Sequence, residues 1–169
     1  MKDSKRWLIC LSGLLFSNLL LNSCSLLIPD TSKDKKFSNY QVERPKGWKI
    51  TSKANADYAF INPKSASIIF TNSICDKYSQ ARLPDLGKNI LRSVDNFSAP
   101  QPQKTTLANR DAYRWCGHGK MDGVPVNLDY LIVRKSNCIF DLVLISTEND
   151  LWPQDQTSFN QFLSTLKIP

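Results

Sequence analysis

Beyond residue 37, apolar and polar residues alternate with a period of two along most of the chain. This alternation is typical of β-strands, whose successive side chains point to opposite faces of a sheet. It begins on either side of the turn sequence Pro45-Lys46-Gly47, which predicts that the domain opens with a β-hairpin. Four strands are predicted before residue 75, at residues 40–43, 48–51, 56–61 and 66–74.

The pattern then changes to one typical of an α-helix. Apolar residues recur at helical spacing behind Pro84, whose fixed φ suits the first turn of a helix. Residues 97–103, which include two prolines, are predicted to be a connector without regular structure. The predicted helix covers residues 83–94, with its apolar positions at Leu83, Leu86, Ile90, Leu91 and Val94.

The second half of the chain predicts three long strands and a closing helix. The strands are separated by turn sequences and cover residues 105–120 (with a break near Asn109), 124–134 and 138–147. The helix is indicated by apolar residues at i, i+3, i+4 and i+7, namely Phe159, Phe162, Leu163 and Leu166. This order of elements predicts a single α+β domain over residues 37–169, with an antiparallel β-sheet covered by helices.

The N-terminal residues have the pattern of an export signal. A basic start is followed by residues 7–29, which contain no charged side chain. The apolar run ends in Leu21-Asn22-Ser23-Cys24, which resembles the lipobox of bacterial lipoproteins. The resemblance implies that residues 1–23 are a removed signal peptide and that Cys24 carries the lipid, including an acyl chain such as palmitate. An uncleaved membrane-spanning helix is the alternative, because about 20 apolar residues suffice to cross a bilayer.

The same resemblance implies a location. A lipidated Cys24 would anchor the chain in a membrane of the cell envelope, and Ser25 rather than Asp favours the outer membrane, facing the periplasm. Residues 24–36 are then a lipidated tether, which fully extended spans at most roughly 40 Å. The domain is therefore expected to work close to its membrane.

Composition and charge exclude several classes of protein. The chain has 169 residues, 41% of them apolar, with 22 Lys and Arg against 15 Asp and Glu. Its basic residues are scattered and form no stripe interleaved with aromatic residues, so nucleic-acid binding is not expected. A single His excludes a His-rich metal site, and we expect neither a metal nor a cofactor.

Three features of the predicted domain resemble the PsbP and DcrB-like superfamily. They are the run Tyr40-x-Val42-x-x-Pro45-x-Gly47-Trp48, the turn Asp122-Gly123-Val124-Pro125, and the Phe-rich closing helix. The resemblance implies an α/β/α sandwich, and it implies no catalytic residue because the family pattern carries none. We therefore expect a non-catalytic binding or accessory module for another envelope protein or polymer.

Three cysteines lie beyond the leader and Cys24, an odd number for a protein in an oxidising compartment. Cys75 closes one predicted strand and Cys138 opens another, so both sulfurs lie at the same end of the sheet if these strands are antiparallel neighbours. We therefore favour a Cys75–Cys138 disulfide and a free Cys116. Three free buried thiols are the alternative.

The sequence Cys116-Gly117-His118-Gly119 suggests an alternative function, a thiol-dependent enzyme. A thiol and an imidazole two residues apart lie on the same face of a strand, about 7 Å from each other along its axis. No third group that would orient the imidazole is evident, and the flanking glycines are expected to loosen the geometry. A strand thiol beside a histidine at the rim of the sheet is therefore the favoured interpretation.

Other polar and aromatic residues suggest no site of their own. Asp129 and Asp141 are expected to mark the more solvated face of the sheet, rather than to form an acid–base site with Asp122. The aromatic residues of the domain are expected in the core or at its rim, and include Trp48, Trp115 and Trp152.

Overall fold

The computed structural model describes residues 39–168 except Lys53, Ser79, Pro100 and Glu148. The predicted signal peptide (1–23), the predicted lipid attachment at Cys24 and the whole predicted tether (24–36) therefore lie outside the described residues. Within these residues no helix is both long and apolar enough to span a membrane.

Within the described residues, eight strands form one antiparallel sheet. The strands are β1 (Lys49–Ile50), β2 (Tyr58–Ile61), β3 (Ile68–Cys75), β4 (Asp95–Ser98), β5 (Gln103–Leu107), β6 (Arg110–Met121), β7 (Val124–Lys135) and β8 (Cys138–Thr147). Their order in the sheet is β1-β2-β3-β8-β7-β6, and the two short strands β4 and β5 both pair with β6 at the far edge.

One helix lies on each face of this sheet, α1 (Leu83–Leu91) and α2 (Trp152–Ser164). Successive residues of β7 therefore pack into two different cores. Tyr130 and Ile132 join the core beneath α1, whereas Leu131 and Val133 join the core beneath α2. The predicted α+β class, an antiparallel sheet covered by helices, is confirmed.

The prediction that residues 40–43 and 48–51 form an opening hairpin is wrong. Residue Gln41 forms a bridge with Lys167 at the other end of the chain, and β1 pairs with β2 instead. Burial of Tyr40 explains this placement, because its ring packs edge-to-face on Tyr58 and Phe140 with both centroid distances at 5.2 Å. The first segment is thus held by the core and the C-terminal segment.

The connector predicted at residues 97–103 is also wrong, because β4 and β5 occupy its two ends. The helix α1 ends at Leu91, earlier than predicted, and the chain turns at once into β4. Gly117 and Gly119 of β6 allow β4 to approach, since an ideal Cβ on Gly117 would lie 2.2 Å from the Ser98 carbonyl oxygen. The sequence analysis expected these glycines to loosen the geometry of the strand. They instead permit β4 to pack closely against β6.

Cys75 and Cys138 are joined by a disulfide at one end of the sheet. The two residues are direct partners in the β3–β8 register, and both are buried. Cys116 is free and exposed. Cys75 thus ends β3 at the same end of the sheet at which Cys138 begins β8, as the sequence argument assumed.

Candidate functional site

The side of β6 that faces α2 carries a cluster of polar groups around a buried carboxylate. Asp129 of β7 is fully buried and accepts two hydrogen bonds from Arg114, at 2.7 Å from Nε and 2.6 Å from Nη2. The same guanidinium donates to Asn160 Oδ1 at 2.8 Å and lies 5.8 Å from the Phe159 ring centroid. We call Arg114, Cys116, Asp129, Gln156 and Asn160 the β6–α2 cluster.

Cys116 is the register partner of Asp129 in this cluster. Gln156 of α2 lies over both residues, because its Nε2 atom is 3.2 Å from the Cys116 sulfur and 3.3 Å from Asp129 Oδ2. Although Cys116 is exposed by surface area, partial desolvation of its sulfur beside Gln156 raises the pKa of the thiol. The negative charge of Asp129 raises this pKa further, against smaller opposing effects of Arg114 and Gln156. Both of the leading effects disfavour the thiolate.

His118 is the other residue of the thiol–imidazole pair considered in the sequence analysis. Its side chain is exposed, and in the described part of the chain it makes no hydrogen bond with the thiol. Activated cysteines typically have a lowered thiol pKa and a base within hydrogen-bond reach, whereas the pKa of Cys116 is raised. The two side chains therefore do not form a hydrogen-bonded pair among the described residues.

The expectation that Asp129 and Asp141 mark a solvated face is wrong, because helices cover both faces of the sheet. Asp129 points toward α2, whereas Asp141 lies 9% exposed on the α1 side and accepts a 2.6 Å hydrogen bond from Tyr130. Burial raises the pKa of Asp141 to about 6, although the Tyr130 hydrogen bond opposes this effect. Asp122 occupies the β6–β7 turn with a φ of 51°, so the three acids do not meet.

A second buried carboxylate, Asp155, was not singled out by the sequence. It lies in the first turn of α2 and accepts hydrogen bonds from Asn62 Nδ2 at 2.7 Å and Ser67 Oγ at 2.5 Å. Ser67 Oγ also lies 2.7 Å from Ser146 Oγ of β8. These bonds hold the start of α2 on the sheet, and an Asp in a first helical turn is the one sequence signal for them. Among the described residues, no three His, Cys, Asp or Glu side chains are grouped as metal ligands would be.

An open groove of about 270 Å³ lies between α1 and the β4–β5 edge, on the opposite face from the β6–α2 cluster. We call it the α1–β4 groove. Its apolar floor is made by Leu91, Phe97, Ala99, Pro102 and Trp115, and its rim by Lys88, Arg92 and Gln101.

Packing fixes the position of Trp115 in this floor. The indole stacks on Tyr130 at a centroid distance of 5.5 Å, and Gly87 of α1 lies directly against its other edge. The sequence identified Trp115 as a core or rim aromatic residue, and it is indeed buried. The groove itself could not be predicted from the sequence, because β4 was not predicted.

No protein-family model matches the chain, and sequence comparison with curated proteins also gives no match. Several solved structures are similar in fold. LpqN of Mycobacterium tuberculosis, described as involved in cell envelope biogenesis, has a TM-score of 0.61 and 14% identity over 80% of this chain and 86% of LpqN.

Two further solved structures are also similar to this chain in fold. The PsbP protein of the cyanobacterium Synechocystis sp. PCC 6803 has a TM-score of 0.57 and 10% identity, over 80% of this chain and 92% of PsbP. A Pseudomonas aeruginosa protein of unknown function, PA94, has a TM-score of 0.51 and 12% identity, over 82% and 87% of the two chains. Identities this low show the fold alone, and that fold is PsbP-like.

Proposed function

We propose that this chain is a non-catalytic accessory lipoprotein of the bacterial cell envelope that binds another envelope component. The observation that carries the proposal is the state of Cys116, the residue on which the enzymatic alternative depends. Its thiol pKa is raised, and its polar neighbours are already engaged with one another around Asp129. Groups arranged in this way stabilise the contact between α2 and the sheet, which supports a structural role for the cluster.

The proposed location rests on the leader. The sequence Leu21-Asn22-Ser23-Cys24 resembles a lipobox, so we propose lipid attachment at Cys24 and anchoring in the outer membrane, facing the periplasm. The role of LpqN in cell envelope biogenesis is consistent with an envelope location for a protein of this fold. A tether of at most roughly 40 Å would keep the domain near the membrane surface.

Complementation of a deletion strain with the full chain tests this proposal. We expect Cys116→Ser and His118→Ala to correct the envelope phenotype of the deletion strain as well as the parent chain does, because neither side chain is assigned a chemical step. Cys24→Ser should release the chain from the membrane fraction and fail to complement. Failure of a folded Cys116→Ser or His118→Ala variant, together with rescue by a leader-swapped soluble form, would support the thiol-dependent enzyme instead.

A further inference from the structure

The rim of the α1–β4 groove is positively charged. Lys88 and Arg92 lie one helical turn apart on the α1 side, and no carboxylate is among the described residues that line the groove. In the described part of the chain neither cation forms an ion pair, whereas the neighbouring Arg82 pairs with Asp85 at 3.9 Å. Two free cations beside an apolar floor favour an occupant that combines an apolar group with a negative charge.

The two aromatic residues in the floor of the groove are held in place by packing. Trp115 is only 4% exposed and is held between Tyr130 and Gly87. Phe97 is held over β6, because Gly117 and Gly119 allow the β4 backbone to approach closely. Aromatic residues fixed in this way beside a basic residue are typical of the energetic centres of protein interfaces, since little side-chain freedom is lost on binding.

The shape of the groove favours a protein segment over other anionic partners. Its volume of about 270 Å³ is below the roughly 300–1,000 Å³ of cavities that enclose a small molecule. A membrane surface would require apolar side chains that protrude, whereas Trp115 is recessed. An inserted side chain from a partner protein needs only a shallow apolar recess with a charged rim.

A larger cleft elsewhere on the domain does not offer the same combination. A cleft of about 600 Å³ lies beside β1 and β2, lined by residues 50–52 and 54–60. The charged side chain among these lining residues is Asp57, which accepts hydrogen bonds from Tyr40 and Ser73 at 3.0 and 2.7 Å. The carboxylate of Asp57 is therefore already hydrogen-bonded within the domain.

We propose that the α1–β4 groove docks an acidic, apolar segment of a partner protein. An apolar side chain of that segment contacts Phe97 and Trp115, and an adjacent carboxylate binds Lys88 and Arg92. This inference rests on the accessory function proposed above and identifies the surface and the chemistry of its partner.

Photocrosslinking in the intact host tests the inference. The full-length chain would carry p-benzoylphenylalanine at Gln101, an exposed position on the rim, and crosslinked peptides would be identified by mass spectrometry. We expect one protein partner, crosslinked within a segment that contains Asp or Glu next to an apolar residue. Charge reversal by Lys88→Glu with Arg92→Glu should lower the crosslinking yield at least tenfold. Replacement of the partner's carboxylate by Lys should restore it in the reversed chain.

A matched control is Lys46→Glu with Lys49→Glu, which makes the same change in net charge at exposed positions near the opposite edge of the sheet. This control should leave the yield unchanged. Crosslinking to lipid, polysaccharide or nucleic acid, to a segment without carboxylates, or to nothing would overturn the inference, as would a yield insensitive to the charge reversal. The proposed accessory function is tested separately by complementation. It would stand if Cys116→Ser and His118→Ala still complement, even if the docking inference is overturned, and it would be contradicted if they do not.

Discussion

Gly87 of α1 lies directly against the indole of Trp115, so that an ideal Cβ at position 87 would be 2.2 Å from the Trp115 Cη2 atom. The helix can cross β6 at this distance only because residue 87 has no side chain. Trp115 in turn stacks on Tyr130 and forms the floor of the α1–β4 groove. One helical glycine therefore positions both the α1 core and the proposed docking surface.

We predict that Gly87→Ala destabilises the domain despite the better helix propensity of alanine. Propensity would contribute about 1 kcal/mol in favour of the variant, but overpacking against a buried indole costs about 1–3 kcal/mol. Urea unfolding should give a lower free energy of unfolding than for the parent chain. Asn89→Ala, at an exposed position of the same helix, should leave it equal or higher. A stabilised Gly87→Ala variant would contradict the observed helix–sheet distance.

Loss of one partner of the Arg114–Asp129 pair is predicted to destabilise the domain strongly. Replacement of both partners by apolar residues is predicted to change its stability much less. Arg114→Ala would leave the buried Asp129 charge without its partner, at a cost of about 3–5 kcal/mol. A double variant, Arg114→Met with Asp129→Leu, should recover most of that loss because no unpaired charge remains. Chemical unfolding of Arg114→Met, Asp129→Leu and the double variant that combines them gives the coupling free energy. Equal stability of Arg114→Ala and the parent chain would contradict the prediction.

The exposed pair Lys104–Asp111 offers the matched control for that experiment. Its atoms are 2.8 Å apart, but both side chains are more than half exposed, so water and salt already screen the charges. Lys104→Ala should leave the midpoint of unfolding almost unchanged. The contrast between the two pairs would show that burial, rather than distance, determines their contribution.

The long strands were predictable because their register is local. A two-residue turn at Asp122-Gly123 sets Met121 opposite Val124, and counting back from it places Cys116 opposite Asp129. That count alone places Arg114 near Asp129, so the strand residues of the β6–α2 cluster follow from the sequence. Its α2 residues, Gln156 and Asn160, do not, because a single sequence does not show that helices cover both sides of the sheet.

The errors occurred where a contact joins distant parts of the chain. The Gln41–Lys167 bridge and the burial of Tyr40 depend on groups from both ends of the domain, which no local pattern encodes. Strand β4 is only four residues long and mostly polar, and it is held by the close approach that Gly117 and Gly119 permit. The α1–β4 groove follows from that strand, so it could not be predicted either.

Burial of Asp141 predicts a specific dependence of stability on pH. Its pKa is about 6 in the folded chain and 3.8 in the unfolded chain, so the folded state binds the proton more tightly. The stabilisation by this proton is complete below about pH 4 and is lost as the pH rises through about 6. Asp141→Asn should therefore gain stability relative to the parent over this window, by on the order of 2–3 kcal/mol.

The measurement is the difference in unfolding free energy between parent and variant from pH 4 to pH 7. Asp95→Asn removes an exposed carboxylate from β4 and serves as the control for the loss of one negative charge. A difference for Asp141→Asn that does not change with pH would show that the Tyr130 hydrogen bond and local solvation fully compensate the burial of the carboxylate.

The Cys75–Cys138 disulfide is predicted to contribute strongly to stability. It joins residues 63 apart, and the loss of unfolded-chain entropy from closing such a loop corresponds to about 4 kcal/mol. The double variant Cys75→Ala with Cys138→Ala should unfold at a correspondingly lower denaturant concentration. Peptide mapping without reduction should find these two cysteines linked and Cys116 free, and a bridge that includes Cys116 would contradict the β3–β8 register.

The last prediction concerns the reactivity of Cys116. Burial and the Asp129 charge both disfavour the thiolate, so the alkylation rate of Cys116 should reach half its maximum at a higher pH than that of glutathione measured in parallel. Asp129→Asn should move this midpoint to lower pH, because it removes the nearby negative charge. Gln156→Ala should move it to higher pH, because it removes the hydrogen bond to the sulfur. His118→Ala should leave it unchanged. A midpoint below that of glutathione that rises in the His118→Ala variant would instead show a thiolate supported by His118, the arrangement that an enzyme would need.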